Sequence, residues 1–501
     1  MIEKFNNSKP NIILISDNVE ELSMPKTIGA FKIARELRLA GYEVAVLHHA
    51  HIFSIEEIKN ILNQLVSNQT LYVGINNFFY KSERGSILPH GIKYNQEIKR
   101  LVQDINPSCK FVLGGPGAKD TIDNKDFDYV VLGYADISAV NLADHLLKSV
   151  KLNYAYRSIY HFIIIADSKA DGFDFVHRKM DYKDYDCILP GETLPIEISR
   201  GCIFKCKFCN FPLNGKNKLD YIKDSEILYQ EFIDNYTRFN ITRYIFLDDT
   251  FNDTIDKVKT MYDISKRLPF KLEYWAYVRL DLLAAHPETI ELIFNSGLRS
   301  AFFGIESFNE KSASSISKGI HKDKIINTVK RIKDQWGDEV MLGGNFICGL
   351  PHESVESFLE GVRLLESGAT GLDQYSFLPL RLDQIDSKNT GFLSELSLNP
   401  EKFGYRNLHP LPKNKEGTHV LYWENDYMNF YIAEKLVEEH TPSTGPLMGQ
   451  DVFNIAGLGV DLDYARNKPV ETFDWKRTNI LKLKRIKEYK TLFYKMFDLK
   501  G

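Results

Sequence analysis

Apolar positions in the first third of the chain follow two patterns that alternate along the sequence. One is an apolar run of strand length, at Asn11–Ser16, Glu43–His49, Leu71–Asn77, Lys110–Pro116, Asp128–Gly133 and His161–Ala166. The other is an apolar residue at every third or fourth position, which is typical of an amphipathic helix. This alternation predicts a parallel, doubly wound sheet, so residues 1–166 are expected to form a Rossmann-like domain.

A second α/β unit follows residues 167–193, a charged, turn-rich stretch without periodicity that indicates a linker. Its strand-like runs are Pro195–Ser199, Arg243–Asp248, Lys271–Val278, Arg299–Ile305, Met341–Cys348 and Asp373–Leu378. Because helical segments lie between these runs, residues 194–384 are expected to form a partial (β/α)6 barrel. The pattern then becomes irregular, and residues 385–501 are expected to form a smaller, mostly helical C-terminal region.

Composition is that of an ordinary globular protein and excludes few functions. The 501 residues are 44% hydrophobic and 26% charged, with a net charge of −4, so the whole chain does not indicate nucleic acid or anionic lipid as a partner. No apolar run reaches the roughly 18 residues of a membrane span, and the polar start of the chain lacks a signal peptide's apolar core. We therefore expect a cytoplasmic protein with no membrane partner.

Three of the six cysteines, Cys202, Cys206 and Cys209, lie within one loop after a predicted strand. Clustered thiolates select zinc, copper(I) or iron–sulfur centres. Structural zinc normally takes four protein ligands, and no further Cys or His lies nearby in the sequence. Three ligands on a [4Fe–4S] cluster leave one iron open for a cofactor or substrate. The alternatives are a zinc site completed by a distant histidine and three unrelated core cysteines.

The stretch ISRGCIFKCKFCN (Ile198–Asn210) resembles the C-x3-C-x2-C signature of radical S-adenosylmethionine (SAM) enzymes, with the aromatic Phe208 before the last cysteine. The resemblance implies that SAM binds the open iron and is cleaved reductively to a 5′-deoxyadenosyl radical, which abstracts a hydrogen atom from the substrate. It also implies an electron donor of the flavodoxin or ferredoxin type.

Later segments at predicted strand ends, the catalytic edge of such folds, resemble SAM-contacting segments of this family. The resemblance implies that Asp248 and Asp249 in FLDDTF receive the SAM amino group and that Arg279 meets the SAM carboxylate. It implies a contact from Glu306, in FFGIES, to the ribose or the amino group. The alternative roles are a cap or solvated loop pair for the aspartates, a surface ion pair for Arg279 and a structural cap for Glu306.

The segment GGNFICGLPHES resembles the family's fifth-strand motif, which packs on adenine. Its glycines permit close approach of the backbone, and Ile347 is expected to supply the apolar face, whereas Cys348 is expected to be buried packing. At the end of the sixth strand, the backbone of Phe377 and Leu378 is expected to contact the adenine edge.

A Rossmann-like domain before a radical SAM core resembles the arrangement of the subgroup that binds cobalamin (B12). FVLGGPGAKD followed by DYVVLGYAD resembles the subgroup's GGP…D-x-V-x-G-E segment, whose backbone lies along the nucleotide tail of cobalamin. The residues that this resemblance implies for cobalamin are Asn76, Asn77, Gly114, Gly115, Pro116, Gly117 and Gly133.

The N-terminal segment also departs from the subgroup. Gly133-Tyr134 stands where Gly-Glu is usual, and the D-x-H-x-x-G motif of the lower histidine ligand is absent. The histidines His48, His49 and His51 are expected to be solvated or to cap a helix. No G-x-G-x-x-G follows the first strand, which disfavours a nicotinamide cofactor. The alternative is a domain that kept the fold and binds nothing, or only helps to bind substrate.

Two C-terminal segments stand out. Leu421–Glu439 has helical spacing, and its aromatic residues are expected to pack in a core or to cover the barrel mouth. Lys476–Lys500 holds nine Lys or Arg against two acidic residues, so it predicts a basic amphipathic helix. Contact with nucleic acid or an acidic partner is one role for this helix, and packing of its apolar face on a core is the other.

The leading hypothesis is a cobalamin-dependent radical SAM enzyme. The chemistry that this architecture implies is methyl transfer to an unactivated carbon, with one SAM methylating cob(I)alamin and another generating the substrate radical. A cobalamin-independent radical SAM enzyme and a non-catalytic iron–sulfur or zinc module are the alternatives. A methylthiotransferase is disfavoured because the N-terminal domain offers only Cys109. The sequence does not identify the substrate.

Overall fold

A computed structural model of the protein describes most of the 501 residues. The described ranges are 3–5, 9–18, 22–76, 91–115, 118, 126–152, 155–157, 162–166, 173–211, 213–216, 218–383, 393–411 and 420–500. No helix within them is both long enough and apolar enough to cross a membrane.

The N-terminal unit is a seven-stranded sheet with helices. Its strands are β1 (Ile12–Ile15), β2 (Val44–Leu47), β3 (Tyr72–Asn76), β4 (Lys110–Gly114), β5 (Tyr129–Gly133), β6 (Ala155–Arg157) and β7 (Phe162–Ala166), and its helices are α1 (Ile28–Leu39), α2 (Ile55–Leu65), α3 (Gly91–Ile105) and α4 (Asp136–Lys148). The strand order is β2-β1-β3-β4-β5-β7-β6, and all neighbours are parallel except β6, which is antiparallel to β7. The six predicted strands and the doubly wound sheet are confirmed, and ligands of such folds bind at the carboxyl edge of the sheet.

The second unit is a barrel of six parallel strands in the order β13-β12-β11-β10-β9-β8, without hydrogen bonds between β8 and β13 in the part of the chain that the structure describes. The strands are β8 (Thr193–Ile196), β9 (Arg243–Phe246), β10 (Glu273–Val278), β11 (Leu298–Glu306), β12 (Met341–Cys348) and β13 (Gln374–Pro379). The helices are α5 (Ser225–Phe239), α6 (Ile255–Arg267), α7 (Leu280–Ala285), α8 (Glu288–Asn295), α9 (Glu310–Ser315), α10 (Lys322–Trp336) and α11 (Val355–Glu366). This confirms the predicted partial barrel.

A small antiparallel sheet, which the sequence did not predict, begins just before the C-terminal region, and the described residues of that region add five helices. The strands are β14 (Leu382–Asp383), β15 (Arg406–Pro410) and β16 (Val420–Glu424), in the order β14-β16-β15. The helices are α12 (Glu395–Leu398), α13 (Phe430–His440), α14 (Gly449–Ala456), α15 (Leu462–Asn467) and α16 (Trp475–Met496).

The helical spacing predicted for Leu421–Glu439 is wrong for its first part, which forms strand β16 because it pairs with a strand on each side. Trp423 and Phe430 are buried, and the Trp423 indole N–H donates to the Leu380 carbonyl at 2.9 Å. Tyr427 is exposed. The two buried rings therefore pack in the core.

Helix α14 closes one end of the barrel lumen, the space enclosed by β8–β13. Alternate residues of the strands divide between two cores: Tyr274 packs among the surrounding helices, whereas Trp275 packs with the C-terminal region. The Gly449 N–H, at the start of α14, donates to the Gln374 side chain of β13 at 3.1 Å. The open part of the lumen therefore lies toward the carboxyl ends of the strands.

Helix α16 returns to the N-terminal unit. Tyr489 and Phe493 are buried in the core that covers one face of the first sheet, and the Phe493 ring lies 5.8 Å from that of Phe53. Lys490 Nζ lies 2.8 Å from the Glu57 carboxylate of α2. The apolar face of this basic helix thus packs on a core, which is one of the two roles expected from the sequence. The boundaries drawn between domains stay predictions.

Candidate functional site

The cysteine loop starts beyond the carboxyl end of β8, and the chain at Leu213 and Lys216 runs back along it and fixes it by hydrogen bonds. The Cys202 N–H donates to the Leu213 carbonyl at 3.3 Å, and the Lys216 N–H donates to the Cys202 carbonyl at 3.0 Å. Gly201 has φ +110°, and a Cβ there would lie 2.3 Å from the Leu213 oxygen. Only glycine fits this position of the loop.

None of the three loop cysteines forms a disulfide within the described residues; Cys202 is buried, and Cys206 and Cys209 are half-buried. In the described part of the chain, no three Cys, His, Asp or Glu side chains converge closely enough to bind one metal ion. Structural zinc normally takes four protein ligands, whereas the three thiolates that hold a [4Fe–4S] cluster bind separate iron atoms. Three thiolates at this spacing therefore fit a cluster.

The surroundings of the thiols are partly apolar. Burial raises the pKa of Cys202 and of Cys209 above the ordinary value, which a bound metal centre would reverse by stabilising the thiolates. Phe208, the aromatic residue of the motif, is half-buried against the main core. The Phe208 ring thus attaches the cysteine loop to the main core.

Arg279 follows β10 and lies against the cysteine loop. Its Nη1 lies 3.5 Å from Cys206 Sγ, and its guanidinium lies 3.9 Å from the centre of the Phe204 ring. Its Nε and Nη2 donate to the Asp281 carboxylate at 3.0 and 2.5 Å. Arg279 is buried, so its ion pair is internal. The predicted contact with the SAM carboxylate stays a prediction.

Asp248, which follows β9, holds the start of the cysteine loop. Its carboxylate accepts hydrogen bonds from the Ile198 N–H at 2.9 Å, the Ser199 N–H at 3.0 Å and the Ser199 hydroxyl at 2.8 Å. The buried Lys257 ammonium lies 3.1 Å from the same carboxylate. Both oxygens of Asp248 are therefore used inside the protein, which leaves Asp249 as the carboxylate of the pair that is open to a ligand.

Asp249 is half-buried, and its carboxylate forms no hydrogen bond or ion pair in the described part of the chain. Burial, with the neighbouring Asp248, raises the pKa of Asp249 to about 7. Burial raises the pKa of Tyr134, in the N-terminal unit, and of Tyr277, on β10, and the charge of Asp249 adds to both shifts. Asp249 thus acts on groups of both units.

Glu306 ends β11 in a left-handed conformation, φ +70°, and is buried. Burial raises its pKa, although the Lys318 ammonium lies 3.4 Å from the carboxylate. Lys318 also donates to the Gly304 carbonyl at 2.7 Å. The predicted contact of Glu306 with SAM stays a prediction.

The residues predicted to contact adenine divide between the two faces of the barrel. Phe377 points away from the lumen and packs on Phe346 and Phe358, with ring centres 5.8 and 5.1 Å apart. Leu378 alternates with Phe377 and faces the lumen, where it is 51% exposed. Ile347 alternates with Phe346 in the same way and is largely buried. Because the Phe377 side chain points away from the lumen, only the backbone of Phe377 could contact adenine, as predicted from the sequence.

The open part of the lumen has a largely apolar wall. Leu247 is 41% and Tyr277 42% exposed, although both continue the inward-facing rows of their strands. The Tyr277 ring lies 5.8 Å from that of Phe302. On β12 and β13, the Ser376 hydroxyl donates to the Asn345 side chain at 2.9 Å. The wall therefore combines apolar side chains with few polar groups.

The residues predicted to contact cobalamin meet at the carboxyl edge of the first sheet, where they are described. Asn76 ends β3, and its side-chain amide donates to the Asp17 carbonyl at 2.8 Å. Gly114 ends β4 and Gly133 ends β5; Gly133 has φ +92°. Gly115 follows Gly114 with φ +106°. Asn77, Pro116 and Gly117 lie outside the described residues.

Of the two roles expected for the histidines after β2, solvation or the capping of a helix, the structure contradicts the first for His48 and His49. His48 and His49 are buried, because their rings pack on Phe31 of α1 and Tyr489 of α16, with ring centres 5.4 and 5.2 Å apart. The N–H of Thr27, which precedes α1, donates to His48 Nε2 at 3.3 Å. Burial lowers the pKa of both imidazoles well below the ordinary value, so they are neutral. His51 Nδ1 lies 2.6 Å from the Asp17 carboxylate.

A buried ionic network joins the two units, and sequence reasoning missed it. Arg200, from the cysteine motif, pairs with Asp136 of α4 at 2.7 Å and with Glu197 at 3.1 Å, and Lys32 of α1 pairs with Glu197 at 2.7 Å. Burial opposes the ionisation of Glu197, but Arg200 and Lys32 hold its pKa well below the ordinary value. Charged residues in predicted helices and loops gave no signal of this pairing across the chain.

Comparison with known proteins defines the class. Residues 196–365 match the family model of the radical SAM superfamily, so the chain contains a radical SAM domain. An uncharacterised methyltransferase of Pyrococcus horikoshii is 31% identical over 286 residues, 52% of this chain and 58% of that protein. The hopanoid C-2 methylase of Rhodopseudomonas palustris is 29% identical over 275 residues, 51% of this chain and 49% of that protein. The matched part thus spans only about half the length of either relative.

The fold as a whole resembles a solved radical SAM methyltransferase, TsrM of Kitasatospora setae. Its structure with cobalamin and a [4Fe–4S] cluster matches 96% of this chain and 99% of that chain, with a TM-score of 0.63 and 14% sequence identity. TsrM has also been solved with tryptophan as substrate and a SAM analogue; that structure is 15% identical and covers 81% of this chain and 79% of that chain, with a TM-score of 0.60. The likeness confirms the order of Rossmann-like sheet, radical SAM barrel and C-terminal region.

Proposed function

We propose that this protein is a cobalamin-dependent radical SAM methyltransferase that acts on a carbon of a largely apolar substrate. One observation carries the proposal: the cysteine loop and the carboxyl edge of the first sheet meet at one junction. Arg200, two residues before Cys202, has its guanidinium 4.7 Å from the ring of Tyr134, directly after Gly133. Cofactors held by the two units would therefore face a common space.

The proposal has independent support from the comparisons. Both sequence relatives are named as methyl-transferring proteins, and the TsrM fold covers nearly the whole chain and holds cobalamin with a [4Fe–4S] cluster. When bound, the cluster, SAM and cobalamin would supply reductive cleavage of a sulfonium and a transferable methyl group. The protein's own residues would bind and orient these groups and exclude water.

We assign the cluster to Cys202, Cys206 and Cys209. Asp249 would bind the SAM amino group, because its carboxylate is open and Asp248 and Thr250 beside it are both fixed to the cysteine loop. Arg279 would hold the Cys206 side of the loop in place and add positive charge there. The glycine-rich ends of β4 and β5 would carry the cobalamin tail, because a backbone without side chains can approach it closely.

The lumen wall indicates the substrate class. Leu247, Tyr277 and Leu378 leave a large fraction of their apolar surface uncovered, and such surface in a concave site is typical of ligand binding. TsrM was solved with tryptophan, and the second relative is named as a hopanoid methylase. A substrate with an extended apolar or aromatic surface is consistent with both. An electron donor of the flavodoxin or ferredoxin type completes the proposal.

Anaerobic reconstitution with iron, sulfide and cobalamin tests this function. We expect cluster absorption, a bound corrin spectrum and reductant-dependent formation of 5′-deoxyadenosine or S-adenosylhomocysteine from SAM. Changing Cys202, Cys206 or Cys209 to alanine should abolish iron binding, whereas the matched control Cys348→Ala, in the core of β12, should retain it. A protein that binds the cluster and cleaves SAM but never binds a corrin would instead be a cobalamin-independent radical SAM enzyme. Cluster binding without SAM turnover would overturn the enzymatic proposal.

A further inference from the structure

The Arg200 side chain is buried between two carboxylates and three aromatic rings. It is 3% exposed, and its guanidinium donates two hydrogen bonds to Asp136, at 2.7 and 3.4 Å, and one to Glu197 at 3.1 Å. The rings of Tyr134, Phe173 and Phe175 lie 4.7, 5.1 and 4.9 Å from the guanidinium carbon. A planar guanidinium suits this combination of forked hydrogen bonds and ring contacts, which an ammonium cannot reproduce.

The partners of Arg200 link the cysteine loop to two helices of the N-terminal unit. Asp136 is the first residue of α4, three residues after the end of β5, and is thus next to the carboxyl edge of the first sheet. Glu197 follows β8 and also accepts a hydrogen bond from Lys32 of α1 at 2.7 Å. The chain that leads to Cys202 is therefore attached directly to the edge where cobalamin is expected.

The network is electrically balanced. The four buried groups Lys32, Arg200, Asp136 and Glu197 carry two charges of each sign, and Arg35, 4.0 Å from Asp136, has its own partner in Glu36 at 2.5 Å. Removal of one member leaves a buried charge without its partner, which is strongly unfavourable. The loop and the edge consequently have one well-defined relative position.

Tyr134 is suited to this network. A glutamate, usual at this position in the subgroup that the sequence resembles, would compete with Asp136 and Glu197 for the same guanidinium. The tyrosine instead places its ring on Arg200, and Lys32 Nζ lies 5.8 Å from the same ring. An aromatic ring beside a buried cation stabilises the cation without adding negative charge.

We propose that Arg200 and Tyr134 are positioning residues that fix the cluster at a set distance from the cofactor at the carboxyl edge of the first sheet. The part that concerns cobalamin rests on the proposed function, whereas the part that concerns the cluster does not. Arg200 acts through the backbone of the cysteine loop, and Tyr134 acts through Arg200.

The first test measures the magnetic interaction between the reduced cluster and cob(II)alamin in the holoenzyme, which depends steeply on their separation. Arg200→Gln and Tyr134→Leu should replace one defined interaction with a broad distribution, and Tyr134→Phe, which keeps the ring, should preserve it. Arg38→Gln is the matched control, because Arg38 forms a similar forked pair with Asp186, at 2.9 and 2.7 Å, that is largely buried and lies beside the opposite edge of the sheet at Val44. It should lower Tm without changing the interaction.

The second test needs no cobalamin. The rate at which a chelator removes iron should rise in Arg200→Gln, rise less in Arg200→Lys and stay unchanged in Arg38→Gln. Unchanged magnetic interaction and unchanged iron loss in Arg200→Gln would overturn the proposal. If the protein binds no corrin, the cobalamin part of the proposed function fails, and iron loss alone decides the role of Arg200. If Arg200→Gln does not fold, Arg200→Lys and Tyr134→Leu, which keep the buried charge, provide the same comparison.

Discussion

At the scale of single residues, the open carboxylate of Asp249 should make SAM binding depend on pH. Because its pKa is raised to about 7 by burial and Asp248, the group is protonated below that pH and cannot pair with the SAM ammonium. Raising the pH from about 6 to about 7.5 should strengthen SAM binding roughly eightfold, the increase in the ionised fraction. Titration calorimetry on the reconstituted protein measures this directly.

Asp249→Asn should bind SAM weakly and without this pH dependence. Asp256→Asn, on the exposed first turn of α6, is the matched control and should behave as the native protein does. The same pH dependence in Asp249→Asn would show that another group receives the amino group.

Glu353 also carries a carboxyl group with a raised pKa, and its effect is on stability. The side chain is buried and accepts hydrogen bonds from the Gly349 N–H at 2.8 Å and the Ser307 hydroxyl at 2.9 Å, yet burial raises its pKa from 4.5 to about 7. Between these two pH values the folded state binds more protons than the unfolded state, so stability falls as pH rises through this window. The loss is about 3 kcal/mol and is complete above about pH 7.

Urea unfolding at about pH 5 and about pH 8 should show this loss in the native protein and a smaller one in Glu353→Gln. Glu356→Gln, on the exposed first turn of α11, should change nothing. If the free energy of unfolding fell equally from about pH 5 to about pH 8 in the native protein and in Glu353→Gln, other groups would control its pH dependence.

Residue types alone predict the cluster site but not its supports. Three cysteines at fixed spacing have few structural uses, so the motif was informative without a structure. The use of Asp248 inside the protein, and the pairing of Arg200 with Asp136, depend on contacts between segments far apart in the sequence. No local pattern encodes such contacts, and the two aspartates of FLDDTF look alike until the backbone places them.

At the scale of elements, strand periodicity was reliable where strands are buried and parallel, and weak elsewhere. β6 has three residues and β14 has two, too few to show a pattern. In Leu421–Glu439, aromatic residues at both strand and helix spacing concealed a strand followed by a turn and a helix. Tertiary pairing with β14 and β15 decided the outcome there.

The packing of α14 against the barrel strands, which closes one end of the lumen, depends on a glycine. A Cβ on Gly449 would lie 1.9 Å from Ser300 Oγ of β11 and 3.2 Å from the Trp275 ring. Gly449→Ala should therefore force the helix outward and destabilise the protein by about 2 kcal/mol. Gly29→Ala, in α1, meets no atom within 4 Å and should instead stabilise the protein by up to about 1 kcal/mol. Thermal unfolding of both variants decides this, and an unaltered Tm in Gly449→Ala would contradict the packing described.

At the scale of the whole molecule, the chain returns to its starting point. Helix α16 ends in the core of the N-terminal unit, where Phe5 lies 5.0 Å from Phe497 and the Phe5 N–H donates to the Met496 carbonyl at 3.1 Å. In chain order the barrel thus lies between two segments that contribute to the same core. The sequence predicted the helix and its apolar face, but not which core receives it, since an apolar face does not specify its partner.

This closure predicts how the molecule unfolds. Phe493 packs on Phe53, Phe497 and Tyr489, all in the core on one face of the first sheet. Phe493→Ala should leave a cavity there and cost about 4 kcal/mol. Because the cavity lies in the core that covers β1–β3, the amide protons of these strands should then exchange faster. Those of β10–β12, in the barrel, should keep their protection. Lys484→Ala, on the exposed face of α16, should alter neither set. Hydrogen exchange resolved by mass spectrometry separates these outcomes, and faster exchange confined to α16 would show that the N-terminal core does not depend on this helix.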